Sequence, residues 1–438
     1  MLTTRPKQAP FVVFGLGLCV ALVVVWFVWG RQSAVDSRPD PYWFSAMAQS
    51  LLKGEGFAPY GTFLHRRAPL YPLFLAAIYS VAGVRESVVQ VAQAILFAGT
   101  GVFVYDIGRR VFNERSGRLA AALCLLHPAL LRYVPDFHLE TLLTFLSTLC
   151  VWASVRFVER PVLARAAALG LCLGLATLTK AVILLYPFVF VVLWWWRTRV
   201  SQPGTPLLQS LRAPLLPVAG MFLVMAVTIA PWTIRNYQVS GHFVPVSTGL
   251  SDAFLRGYVF SRTEFITLQK PPYTDGENEV NAWFKQLCAA EGAVWEADDY
   301  QTDRILSGVA RKKLMAEPLA FVRKSASGLF TFWYEMTSLP NSLLMGISAL
   351  LAWLLAVPGL RRARREGQRA WLLLAPILYL NLLLAVLLSL GRYSVPVLPC
   401  LLILAAFGAD TLLGTRKVFG GATPEVAARG SAREQPPA

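Results

Sequence analysis

The chain has 438 residues, 55% of them hydrophobic and only 15% charged, and its mean hydropathy is positive. That is far more apolar than a soluble enzyme of this size requires, so a soluble class is excluded and a polytopic membrane protein is indicated. The net charge of +16 does not point to nucleic acid, because Lys and Arg fall in short clusters between apolar runs, as at the cytoplasmic ends of membrane helices. Cys19, Cys124, Cys150, Cys172 and Cys400 lie in apolar segments and Cys288 stands alone in the main polar region, so no disulfide framework or zinc spacing follows.

Phe11 to Gly30 carries no charge and matches the roughly 20 residues that a bilayer needs. It exceeds a signal-peptide core and reads as a retained first span. Arg5 and Lys7 put the N-terminus inside, and the loop after the span outside. In that loop Phe44, Met47, Ala48, Leu51 and Leu52 recur at helical spacing until Gly54 and Gly56, which predicts a short helix on the membrane surface. Leu70 to Gly83 is too short to span comfortably. If it crossed, the basic stretch from Gly108 to Arg118 would lie outside, so it is read as interfacial or re-entrant.

Spans then follow near Val88 to Ile107 and Leu119 to Val134, with the turn from Pro135 to Glu140 outside. Thr141 to Val158 returns inward and Ala166 to Thr179 goes out to Lys180. Ile183 to Trp196 leads in and Pro214 to Trp232 leads out. Arg235 to Pro318 is the one long polar region, with an acidic run around Glu296, Asp298 and Asp299, and reads as a small extracytoplasmic domain, mixed α/β or helical. Phe321 to Met336 is assigned to the interface. Ser342 to Leu360 runs inward to Arg361, Arg362, Arg364 and Arg365, Trp371 to Leu390 goes out, and Val395 to Leu413 returns. The total is about ten spans, with a tail from Gly414 expected to be disordered and cytoplasmic.

In this topology Asp40, His65, Arg66, Arg67, Asp136, His138, Glu140, Lys180, Arg235 and Arg392 collect on one side of the membrane. Ionisable groups at a membrane boundary are costly and tend to be kept for a task or a paired partner. Each also has an ordinary explanation. Asp40 before Pro41 suits a helix N-cap, while Asp36 reads as a solvated loop residue. Arg66 and Arg67 suit either interfacial anchoring or a bidentate grip on phosphate. Glu140 sits near a helix N-terminus, where negative charge is favoured. Asp136 and Glu140 would face one way if helical. Lys180 could snorkel to water, Arg392 could cap a helix turn, and His65 and His138 lack metal-ligand spacing.

These residues, in this order, resemble the bacterial polyprenyl-phosphate-dependent glycosyltransferases of the GT-C superfamily, the group of protein mannosyltransferase, aminoarabinose transferase and rhizobial lipopolysaccharide transferase-like families. DPYWFSAMAQSLLKGEGF is similar to the family's first outer loop and selects Asp40 over Asp36. HRRAPLYPLFLAAIYSVAG resembles its Pro-Leu-Tyr-Pro stretch, HLET its second acidic loop at Glu140, and GLATLTKAVILLYP its Thr-Lys segment at Lys180. PWTIRNY corresponds to the start of its polar region at Arg235 and Asn236, and GRYSVPVLP to its late Arg-Tyr-x-x-Pro at Arg392.

The resemblance implies an all-α polytopic membrane protein of GT-C type. Residues 1–234 would form a transmembrane module with its first outer loop at 31–87, 235–320 an extracytoplasmic domain, 321–413 a second transmembrane module and 414–438 the tail. It further implies an inverting transferase in a bacterial inner membrane that moves a monosaccharide from an undecaprenyl-phosphate carrier to an extracytoplasmic acceptor hydroxyl, on protein, lipid A, lipopolysaccharide or another envelope glycan. Asp40 would be the base, with Glu140 orienting the acceptor or supporting it. Arg66, Arg67, Lys180 and Arg392 would bind the donor phosphate, and Asp136, His65, Arg235 and Asn236 would support the acceptor or the loops. Some relatives carry a Glu-Lys pair associated with metal binding at the Arg66 and Arg67 position and many have a second acidic residue where this chain has Pro41, so no metal site is assigned. A flippase of a lipid-linked sugar, or a ligase or polymerase using a diphosphate carrier, is the competing reading. A transporter is less expected because no repeated halves are visible.

Overall fold

The computed structural model describes residues 8–28, 39–57, 59, 66–201, 207–262, 274–295, 297–336 and 338–419, and the regular elements among them are all helical. The chain enters through α1 (Ala9–Val28), and α2 (Pro39–Leu52) and α3 (Leu70–Ala82) lie between it and α4 (Glu86–Val111). Next come α5 (Glu114–Leu125), the five-residue α6 (Pro128–Arg132), α7 (Glu140–Glu159), α8 (Leu163–Thr179), α9 (Tyr186–Ser201) and the 34-residue α10 (Leu207–Ser240). The polar region holds α11 (Leu250–Arg262), α12 (Thr274–Ala290), α13 (Asp299–Ala316) and α14 (Pro318–Tyr334). The last apolar helices are α15 (Leu339–Arg365), α16 (Trp371–Val386) and α17 (Leu398–Phe419).

Among the described residues, seven segments are long and apolar enough to cross a membrane: those of α1, α4, α7, α9, α10, α15 and α17. The helices α3, α8 and α16 are apolar but shorter. The protein is therefore an all-helical, multi-pass membrane protein. Its helices pack α1 on α4, α4 on α5, α7 on α8, α8 on α10 and α15 on α17. A side chain at Gly408 would put its Cβ 1.7 Å from the Leu355 carbonyl oxygen, so α15 and α17 touch backbone to backbone, the small-residue packing expected inside a bilayer.

Three expectations are refined. The span read from Leu119 to Val134 is not one helix: α5 stops at Leu125, and His127, before Pro128, is extended at φ −72° and ψ 119°. Proline clashes with a helical predecessor and lacks an N–H, so the chain restarts as α6. The helix α2 forms as its periodicity predicts and ends before Gly54 and Gly56, both at positive φ. However, its apolar face is covered by protein. Phe44, Met47 and Ala48 are buried, Phe44 packs edge-on against Tyr71 of α3 at 5.1 Å, and Ser45 shares a 3.0 Å hydrogen bond with the Tyr79 hydroxyl, while Leu52 points to the exterior. The described part of the polar region is helical, and Leu255, Phe260, Val280, Phe284 and Leu306 form a small core of its own. All six cysteines are free.

Candidate active site

Asp40 lies in the first turn of α2 and spends its carboxylate on cations from distant parts of the chain. Arg67 Nη1 donates to Asp40 Oδ1 at 2.8 Å and Arg392 Nη1 donates to Oδ2 at 2.9 Å. The carboxylate thus joins arginines 27 and 352 residues away in sequence instead of serving only as a cap. Burial alone would raise the pKa of Asp40. The charges of Arg67 and then Arg392 outweigh it, with His138 acting in the same direction, and hold the carboxyl far below its usual range.

Each partner is fixed locally. The guanidinium of Arg67 rests over the Phe44 ring, 5.1 Å from its centroid. Arg392 is carried on the 3₁₀ helix Gly391–Val397, where Gly391 N–H donates to the Glu335 carbonyl at 2.6 Å and Ser394 Oγ donates to the Gly391 carbonyl at 2.8 Å. A Cβ on Gly391 would sit 3.0 Å from that Glu335 oxygen, so glycine permits the approach.

Glu140 opens α7 and is only 3% exposed, with its Oε2 buried and lacking a hydrogen-bond partner among the described residues. The turn before it is held by α4: Gln90 Nε2 donates to the Pro135 carbonyl at 3.0 Å, and Gln93 Nε2 donates to those of Val134 and Asp136 at 3.0 and 2.8 Å. Asp136 is not on the helix face of Glu140. It pairs instead with His138, Oδ1 to Nδ1 at 2.9 Å.

Lys180 occupies the break between α8 and the 3₁₀ turn Ala181–Ile183, at φ −152°. Its ammonium sits 3.7 Å from the centroid of the Tyr393 ring, and Tyr393 Oη accepts a 3.3 Å hydrogen bond from Arg392 Nη2. Burial depresses the Lys180 pKa to about 8, helped by Arg392 and opposed by Glu140 and Asp40. Lys180 therefore loses its proton as the pH rises through about 8, whereas arginines keep theirs. Binding of an anion at Lys180 is therefore expected to weaken above that pH. A Lys180→Arg variant is expected to flatten this dependence in a pH profile of anion binding.

Arg66 and Arg67 part company. Arg66 Nη2 bonds to Asp252 Oδ2 at 2.7 Å, its backbone N–H donates to Asp299 Oδ2 at 3.0 Å, and its guanidinium lies 5.7 Å from the Trp295 ring centroid. It joins the first loop to the helices of the polar region and does not face Asp40. Arg235 and Asn236 belong to the last turns of α10. Arg235 stacks 4.8 Å from the Trp232 ring, and Asn236 Nδ2 donates to the Val244 carbonyl at 3.0 Å, bracing the turn after the helix. His65, Asp36, Glu296 and the tail from residue 420 lie outside the described residues. The sequence gives no sign of the Asp252 and Asp299 grip on Arg66, since pairing over 186 and 233 positions leaves no local pattern. Tyr393 could have been found, because it stands inside the Arg-Tyr-x-x-Pro stretch.

Among the described residues no three His, Cys, Asp or Glu side chains gather as metal ligands. Both Asp40 oxygens face arginines, so the donor set as it stands does not fit a divalent ion.

The archaeal oligosaccharyltransferase AglB from Archaeoglobus fulgidus, in complex with an inhibitory peptide and a dolichol-phosphate, superposes with a TM-score of 0.58 at 12% identity, covering 98% of this chain and 53% of that one. The apo form of the Archaeoglobus fulgidus enzyme gives 0.59 at 12% identity, covering 98% and 53%. This chain thus spans about half the length of those structures. ArnT from Cupriavidus metallidurans bound to undecaprenyl phosphate is 17% identical over 95% of this chain and 82% of that one, with a TM-score of 0.41. No protein of the curated set matches. The likeness to the Archaeoglobus fulgidus oligosaccharyltransferase is one of fold. Residues 66–232 match the family described as dolichyl-phosphate-mannose-protein mannosyltransferase, a stretch that contains Arg67, Glu140 and Lys180 and leaves Asp40 and Arg392 outside.

Proposed function

We propose that the protein is a lipid-phosphate-dependent glycosyltransferase that moves a monosaccharide from a polyprenyl-phosphate carrier to a hydroxyl of an extracytoplasmic acceptor, with inversion. The observation that carries this reading is one carboxylate, Asp40, held between Arg67 and Arg392 near Lys180 and Glu140, all at helix ends or in the turns between helices. That arrangement combines an acceptor for one proton with cations for one anion, which is what this transfer requires.

In the reaction the acceptor hydroxyl gives its proton to Asp40 as its oxygen bonds to the anomeric carbon. The bond from that carbon to the phosphate oxygen breaks, and its electron pair stays on the carrier phosphate. Arg67, Arg392 and Lys180 offset the growing charge. Attack from the face opposite the phosphate inverts the anomeric carbon. Glu140, with an open Oε2, accepts a hydrogen bond from a sugar or acceptor hydroxyl. The apolar helices hold the carrier tail, in a bacterial inner membrane with the site on the outer side.

The test is reconstitution of the purified protein in nanodiscs with an undecaprenyl-phosphate monosaccharide or an undecaprenyl-diphosphate glycan. The acceptor fraction comes from a deletion strain whose missing envelope modification is found by mass spectrometry. Transfer from the monophosphate donor alone is expected. Transfer from the diphosphate alone, or movement of donor between leaflets without transfer, would replace this reading with the ligase or the flippase.

A further inference from the structure

Asp40 and the carrier phosphate want the same cations. In the structure Arg67 and Arg392 each meet Asp40 through Nη1 alone, one on each oxygen. Neither guanidinium engages it in the two-bond fork that arginine forms with carboxylate or phosphate. The Nε atoms of both are buried and lack a hydrogen-bond partner among the described residues. A buried donor left open costs about 1–3 kcal/mol, so each of these two guanidiniums keeps an N–H edge that a further acceptor would satisfy. A phosphate supplies oxygens for them that a carboxylate with two oxygens, both engaged, cannot. The three side chains are partly exposed, at 20–29%, so water and the incoming phosphate can both compensate the ion pairs as they are given up.

We propose that Asp40 occupies the cation site in the resting protein as a stand-in for the carrier phosphate, and that phosphate binding draws Arg67 and Arg392 away from it and so releases the base. This deepens the function proposed above and rests on it. Between two arginines Asp40 is a poor proton acceptor. Once the arginines turn to the phosphate, its affinity for a proton rises where the acceptor hydroxyl must lose one. The leaving phosphate gains negative charge as the bond to the sugar breaks, so the exchange is most favoured when the base is needed.

The test is binding of undecaprenyl phosphate, the spent carrier, to the purified full-length protein in nanodiscs. Asp40→Asn removes a competing anion, so affinity is expected to rise about tenfold, a difference of about 1.4 kcal/mol. If Asp40→Asn is not monodisperse, Asp40→Ser replaces it with the same expectation. Unchanged or weaker binding in a variant that is monodisperse overturns the exchange while leaving the transferase reading in place. Absence of binding to the wild type overturns both. Wild-type kinetics give a second readout: the acid limb of kcat, which reports the complex, is expected at higher pH than that of kcat/KM, which reports the free enzyme. Coincident limbs would count against the exchange.

Discussion

Asp40→Asn is expected to lower kcat by about 10²–10⁴, the usual contribution of a positioned general base. The amide keeps the shape of the carboxylate and one acceptor oxygen for an arginine, but it cannot take a proton from the acceptor hydroxyl. Asp40 is partly exposed and sits in the first turn of α2. The substitution alters one turn at the edge of the bundle and leaves the helix core untouched, so the bundle is expected to fold. Single-turnover transfer from purified undecaprenyl-phosphate sugar, with insertion and monodispersity verified, measures the effect. Full activity in the variant would reject the base assignment. Tighter carrier binding with lost transfer is the combined signature of a base that also competes for the arginines.

Arg392→Ala is expected to reduce kcat/KM for the donor by about 10²–10³, with the acceptor KM little changed, because a cation aimed at the leaving phosphate acts where charge develops. Arg392 is well placed for this. It bonds to Asp40 and to the Tyr393 hydroxyl, and Tyr393 in turn carries Lys180 on its ring face. Its loss would thus remove one cation and loosen the platform of another. Arg392→Lys should recover part of the rate, since an ammonium keeps the charge but lacks the planar fork. Initial rates with donor and acceptor varied separately decide the matter. A variant whose acceptor KM rises while donor kinetics stay normal would move Arg392 out of the phosphate site.

Most of the apolar helices were legible in the sequence, Leu119 to Val134 excepted, because a bilayer imposes one requirement on every span, about 20 apolar residues with the backbone satisfied internally. Helix α2 could be read the same way, from Phe44, Met47 and Ala48 at helical spacing. What covers that face could not. Its cover is Tyr71 and Tyr79 of α3, and nothing in the period of one helix names its neighbour. Likewise the pair Arg66 and Arg67 looked like one site. Adjacent residues in an irregular loop can point opposite ways, and here one goes to Asp252 and the other to Asp40.

By itself the sequence determined the class of protein, most of the apolar helices and the set of ionisable groups that stand at span ends, because hydropathy and charge act locally along the chain. Asp40, Glu140, Lys180 and Arg392 were all within that set. Only the tertiary structure decided which of them meet. An ion pair between positions 40 and 392 depends on how α2 and the 3₁₀ helix before α17 are brought together by the packing of all the helices between them. That packing is set by side-chain shape and close backbone approach, as at Gly408, and those are properties of surfaces in contact.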